Sequence, residues 1–161
     1  MAMAKDQERA IELLGQAMQH QMEHEIDQAI RLYRESIALY PTAHAHTYLG
    51  WAYSFKGRLN EAIAQCELAI KIDPEFGNPY NDIGVYLMQQ QRLDDAIPWL
   101  ERAKNAKRYE PRHFPYINLG RVYLTKGMIQ KAIEEFCSSL EINPGDDELA
   151  QLVDELKTKL Q

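Results

Sequence analysis

Apolar residues along this chain recur with a helical period, and the same pattern returns after about 34 residues. Tyr48, Leu49, Ala52 and Tyr53 follow i, i+3, i+4 spacing. After Lys56-Gly57-Arg58 the spacing resumes with Leu59, Ala62, Ile63, Cys66, Ala69 and Ile70. Two antiparallel helices are predicted, with Gly57 able to take the left-handed conformation that ends the first. Leu14-Gly15, Leu49-Gly50, Ile83-Gly84 and Leu119-Gly120 mark four copies of the first helix. Ala29-Ile30, Ala62-Ile63, Ala96-Ile97 and Ala132-Ile133 mark the second helices, and Pro41, Pro74, Pro111 and Pro144 close the units. A glycine inside a helix costs about 1 kcal/mol relative to alanine. Its recurrence therefore predicts that the partner helix approaches closely at that point.

Departures from the pattern carry their own expectations. In the first unit the Leu14-Gly15 register requires two extra residues in the turn, within Gln19 to Glu25. An ungapped alignment would place Gln16 and His20 at apolar slots, so the inserted turn is expected. In the third unit Gln91 stands where the turn glycine belongs, and Pro98 is expected to kink the second helix. Two further residues before Pro111 are expected to lengthen that helix to about Arg108. Pro79 and Pro115 fall at helix starts, where a missing N–H is harmless. After Pro144, the acids Asp146, Asp147 and Glu148 suit a helix N-terminus. The stripe Leu149, Leu152, Val153, Leu156 and Leu160 then predicts a helix over about 147–160 that covers the last apolar face.

With those markers in place, the sequence resembles the tetratricopeptide repeat family. The second unit carries Leu49, Gly50, Tyr53, Gly57, Ala62, Ala69 and Pro74 of its motif. The fourth carries Tyr116, Leu119, Gly120, Tyr123, Gly127, Ala132, Phe136 and Pro144. The third follows with Tyr80, Ile83, Gly84, Leu87, Ala96, Leu100 and Ala103. The resemblance implies an all-α fold, a right-handed α-solenoid of four tetratricopeptide-type helix pairs plus a C-terminal capping helix. It predicts one domain over 1–161, with repeats at about 8–42, 43–76, 77–112 and 113–146.

Composition narrows the function. The chain has 161 residues, 45% of them hydrophobic, and a formal charge of -6, which disfavours a nucleic-acid partner held by phosphate neutralisation. No apolar run approaches the roughly 20 residues that cross a bilayer, and the N-terminus lacks the apolar block of a signal peptide. Cys66 and Cys137 are too few for a disulfide framework and suit a reducing compartment. A soluble cytoplasmic protein without membrane insertion is expected. No phosphate loop, nucleophile elbow, CxxC or HExxH pattern is present, so neither an enzyme nor a cofactor is expected. His20 and His24, with His44 and His46, are the candidate metal ligands, but His20 and His24 flank a turn and no metal site is expected. Arg102, Lys104, Lys107, Arg108 and Arg112 cluster near a helix end, where cations suit the dipole, and read as a solvated face.

What remains is a surface for protein or peptide. The resemblance implies that the first helices line a concave groove that binds segments of other proteins. Helical projection from the Leu-Gly stripe turns Arg9, Glu12 and Gln16 of the first unit toward it, then His44, Thr47, Tyr48, Trp51 and Phe55. Asn78, Asn81, Asp82, Val85 and Gln89 follow from the third unit, and Phe114, Ile117, Asn118, Arg121 and Thr125 from the fourth. Asparagine offers donor and acceptor to a peptide backbone, and Tyr48, Trp51, Phe55 and Phe114 offer aromatic anchors. Family members that hold chaperone C-termini use a cationic clamp. The matching positions here, Glu12, Gln16, Tyr48, Asn78 and Asp82 or Thr47, Trp51, Asp82, Phe114 and Asn118, lack that charge, so chaperone-tail binding is not expected. The alternatives are a self-assembling module that pairs into a homo-oligomer and a scaffold subunit of an enzyme complex.

Overall fold

The repeated pattern folds as repeated pairs. In the computed structural model, which describes residues 1–161, the chain forms α1 (Ala2–Met22), α2 (Ile26–Leu39), α3 (Ala43–Phe55), α4 (Leu59–Ile72), α5 (Asn78–Gln89), α6 (Leu93–Lys104), α7 (Phe114–Thr125), α8 (Ile129–Ile142) and α9 (Asp147–Lys159). Antiparallel pairs α1/α2, α3/α4, α5/α6 and α7/α8 stack in order, and α9 packs on α8. First helices also touch one another, α1 with α3, α3 with α5 and α5 with α7, so they share one face of an α-solenoid. No helix is long and apolar enough to cross a membrane.

Each pair turns on one residue of positive φ: His24 at 63°, Gly57 at 71°, Gln91 at 61° and Gly127 at 75°. Each of them lies five residues before the alanine of an Ala-Ile pair. The turn is therefore the same length in every unit, and the insertion expected in the first unit is absent. Ala17, not Gly15, occupies the slot of Gly50, Gly84 and Gly120. Ala17 is fully buried, whereas Gly15 is exposed and has open space where a Cβ would stand. The polar residues that disfavoured this register have a simple place. Slots where Leu49, Ile83 and Leu119 are buried fall on α1 at exposed Gln16, because no pair precedes α1 in the stack.

At the other three slots the glycine is sterically required. A Cβ on Gly50 would lie 2.9 Å from the Ala62 carbonyl oxygen. On Gly84 it would lie 2.5 Å from Leu100 Cδ2, and on Gly120 2.2 Å from Phe136 Cε1.

A second expectation fails in the third unit. α6 continues past Pro98 but ends at Lys104 rather than near Arg108. The extra residues fold back instead onto the turn between α4 and α5. There Arg108 N–H donates to Glu75 O at 3.0 Å and Gly77 N–H to Arg108 O at 2.7 Å. Tyr109 lies so close to Gly77 that a Cβ there would be 2.4 Å from its Cδ2.

Pro79 and Pro115 start α5 and α7 as expected, and Asp146 caps α9 by accepting from Leu149 N–H at 3.0 Å. One core runs from Leu13 through Tyr33, Leu49, Cys66, Ile83 and Leu100 to Val122. α9 covers its open end by burying Leu149, Val153 and Leu156 against Ile117, Ile133 and Phe136.

Candidate concave binding surface

Helix geometry fixes which side chains the concave face receives. On α5, Gly84 meets Leu100 of α6, and Tyr80 lies against Trp99 at 6.2 Å, so that side of the helix faces its partner. At 100° per residue, Asn78, Asp82, Val85 and Gln89 fall on the opposite side. The same offset from Gly50 gives His44, Tyr48, Trp51 and Phe55 on α3, and from Gly120 it gives Phe114, Asn118, Arg121 and Thr125 on α7.

The corrected register changes the first unit. Counted from Ala17 with the same offsets, the concave positions of α1 are Ile11, Gly15, Met18 and Met22. Arg9, Glu12 and Gln16 are not among them; Arg9 and Glu12 pair with each other at 2.9 Å on an outer surface. Sequence reasoning missed Ile11, Met18 and Met22 because Leu14-Gly15 imitates the motif. The equal spacing of the turn residues from the Ala-Ile pairs is the signal that finds them.

The result is a strongly apolar strip. Ile11 is 60% exposed, Met22 73%, Trp51 41%, Phe55 51% and Phe114 44%. Soluble surfaces rarely gather large apolar groups in this way without a use for them. The aromatics are ordered by one another. Tyr48 stacks on Tyr33 at 6.3 Å and lies 6.4 Å from Trp51, whose ring meets the edge of Phe55 at 5.4 Å. His44 stacks on Phe76 at 4.5 Å, and these two open, with Tyr48, Tyr109, Arg108 and Arg112, into a cavity of about 500 Å3 at the edge of the face.

The polar positions divide. Asn81 and Asn118 are 6% and 8% exposed, and Asn118 Nδ2 donates to Asn81 Oδ1 at 3.0 Å. This pair braces α5 against α7 and spends much of its bonding capacity internally. Asn78 is half-buried, with its amide 3.5 Å from the Glu110 carbonyl. Arg121 is exposed. Asp82 is partly accessible, and burial pushes its carboxyl up to about 7 against the opposing hydrogen bond from Asn81.

Candidate residues outside the face find ordinary partners. Cys66 is fully buried in the core, and burial pushes its thiol well above the usual range. His46 shares a hydrogen bond of 2.7 Å with Gln65, and the two histidine pairs do not converge. His20 instead meets Glu23 and Glu25 at the first turn, an exposed group with ligand atoms within 4.8 Å. The basic cluster is paired rather than merely solvated. Arg108 reaches Asp73 at 2.6 Å, Lys107 reaches Glu75 at 2.8 Å, and Lys104 reaches Glu135 at 3.1 Å. Arg112 donates to the carbonyls of Lys104 and Ala106, and Arg102 lies over Tyr80 and Trp99.

Comparison with known proteins agrees with this architecture. Two tetratricopeptide repeat family models match, one over residues 43–76 and one over 76–144, together more than half of the chain. The BBSome complex member BBS4 of Bos taurus is 27% identical over 135 residues, which cover 83% of this chain and 25% of that protein. The chain thus spans about a quarter of that relative's length. Among solved structures, pilF of Pseudomonas aeruginosa superposes with a TM-score of 0.89 at 23% identity, over 96% of this chain and 70% of that one. YrrB, described as a TPR protein with an unusual peptide-binding site, superposes with a TM-score of 0.67 at 23% identity, over 98% of this chain and 84% of that one. At such identities these structures establish the fold alone, and the family rests on the repeat models. On that basis, the chain belongs to the tetratricopeptide repeat family.

Proposed function

We propose that this protein is a non-enzymatic interaction module whose concave face binds the apolar side of a partner's helix or peptide segment. One observation carries the reading: the large exposed apolar residues Ile11, Met22, Trp51, Phe55 and Phe114 fall on the same face of three first helices. Burying apolar area is worth about 25 cal/mol per Å2, and rigid aromatics lose little entropy when they are covered. Tyr48, Trp51, Phe55 and Phe114 act as anchors in this reading, joined by Met18 and Met22, whose unbranched chains adapt to varied shapes. Asn78 and Arg121 supply polar contacts at the margins, and the Asn81–Asn118 bond holds the helix spacing. The peptide-binding site ascribed to YrrB supports the idea that this fold serves such a purpose.

Site-specific photo-crosslinking tests it. A photoreactive residue at Phe55 should trap a protein partner in an extract of the source cells, and one at Leu68, on the second helix of the same pair, should not. Trp51→Ala should abolish the adduct without changing the far-ultraviolet circular dichroism. Adducts formed from Leu68 alone would move the binding surface to the convex side.

A further inference from the structure

Asp82 is the one carboxylate among the concave positions of α3, α5 and α7. It lies on the side of α5 directed away from α6, on the middle of three adjoining helices. The flanking helices present Trp51 from α3 and Phe114 from α7, both exposed. Its setting differs from that of the chain's other sheltered carboxylate, Glu135, which Lys104 holds at 3.1 Å. No lysine, arginine or histidine stabilises Asp82, and its one hydrogen-bonding neighbour is Asn81, already engaged by Asn118.

Other titratable groups nearby cannot compensate it. Cys66 from α4, Tyr86 from α5 itself and Tyr109 from the α6–α7 linker are the ones that feel Asp82, and burial raises all three so that they stay neutral near pH 7. An ionised carboxylate sheltered from water and lacking a countercharge is costly, and a cation brought from outside recovers that cost. The exposed aromatics of the flanking helices offer apolar surface to the stem of such a side chain.

We infer that the centre of the concave face receives one lysine or arginine side chain of the partner segment, ion-paired with Asp82, with the flanking apolar residues of that segment covering the exposed aromatics of α3 and α7. The inference rests on the groove reading above and specifies its ligand. Apolar surface flanks the carboxylate, with Met18, Met22 and Phe55 toward the first unit and Phe114 toward the last, where Arg121 is also exposed. The matching partner is thus a hydrophobic segment with a single basic residue, rather than a polybasic tail.

A random dodecapeptide library displayed on phage and selected on the full chain at pH 8 tests this. Enriched peptides should share one lysine or arginine among apolar residues. A synthetic copy should lose at least tenfold in affinity on Asp82→Asn, and glutamine in place of its basic residue should cost little further in that variant. On the unaltered protein, the same peptide should bind more weakly at pH 5.5 than at pH 8, a readout that needs no variant. Peptides that depend on Trp51 but share no basic residue, or bind Asp82→Asn equally well, would overturn this inference and leave the groove reading standing. Peptides indifferent to Trp51→Ala, or no enrichment at all, would count against both.

Discussion

Phe136 of α8 lies so close to Gly120 of α7 that a methyl group on the glycine would come within 2.2 Å of its Cε1. Phe136 is 1% exposed and packed among Ile117, Ile133 and Leu149. Gly120→Ala should therefore destabilise by about 1–3 kcal/mol, the usual cost of overpacking. Gly15→Ala should do the opposite. Gly15 is exposed inside α1 with nothing near its Cβ position, so alanine should stabilise by up to about 1 kcal/mol. Urea unfolding of both variants measures the difference. Equal losses at the two sites would restore Gly15 to the packing slot and sink the register assigned here.

The turns give an independent check of that register. Gln91 and His24 take φ of 61° and 63°, a conformation that side chains adopt at a cost of roughly 1 kcal/mol and glycine adopts freely. Gln91→Gly should raise stability by a few tenths of a kcal/mol or more, after the entropy glycine adds to the unfolded chain. Gly127→Ala, at φ of 75°, should lower it by about 1 kcal/mol. Thermal melts of the pair should shift in opposite directions.

Helices, pairing and cap were legible because each depends on local periodicity that repeats. The second, third and fourth units pack on both sides, so their slots are constrained alike and the motif can be read directly. α1 has a neighbour on one side only, and Gln16 and Gln19 tolerate water where Ile83 and Tyr86 meet protein. The resulting misregister hid Ile11, Met18 and Met22 from the site. The linker after α6 was illegible for another reason. Its conformation depends on the Arg108 backbone and the Tyr109 ring meeting Glu75, Gly77 and Tyr80, residues far back in the chain, and no local signal marks such contacts. Asn81 and Asn118 were placed on the correct helices, but their mutual bond depends on the spacing between α5 and α7.

Asp82 makes stability depend on pH. Burial holds its carboxyl at about 7 in the folded chain, against an ordinary value of 3.8. Between those values the folded state keeps a proton that the unfolded state has lost, so stability falls as pH rises through this window. At one pKa unit per 1.36 kcal/mol, the penalty above pH 7 is ~4 kcal/mol at most, and solvent access reduces it. Asparagine has the shape of the neutral acid and cannot ionise. Asp82→Asn should therefore match the unaltered protein at pH 4 and exceed it at pH 8. A difference that stays the same at the two pH values would show that burial does not perturb the carboxyl.

The linker after α6 is held by two kinds of contact, and they can be separated. Arg108 bridges Asp73 and Glu75 on an exposed surface, where ion pairs contribute little and are screened by salt. Tyr109 is 4% exposed and packs with Tyr80 and Ala103 against Gly77. Removing a buried aromatic side chain typically costs about 3–5 kcal/mol. Tyr109→Ala should approach that range, with a linker that becomes open to limited proteolysis between Lys104 and Phe114. Arg108→Ala should leave the chain protected in 0.5 M salt, where the ion pairs are already weakened, and should affect cleavage only at low ionic strength. If Arg108→Ala opens the linker at both salt concentrations while Tyr109→Ala does not, the backbone bridge between Arg108 and Glu75 is secured by charge rather than by the buried ring. The wall of the cavity beside His44 and Phe76 would then loosen with rising salt.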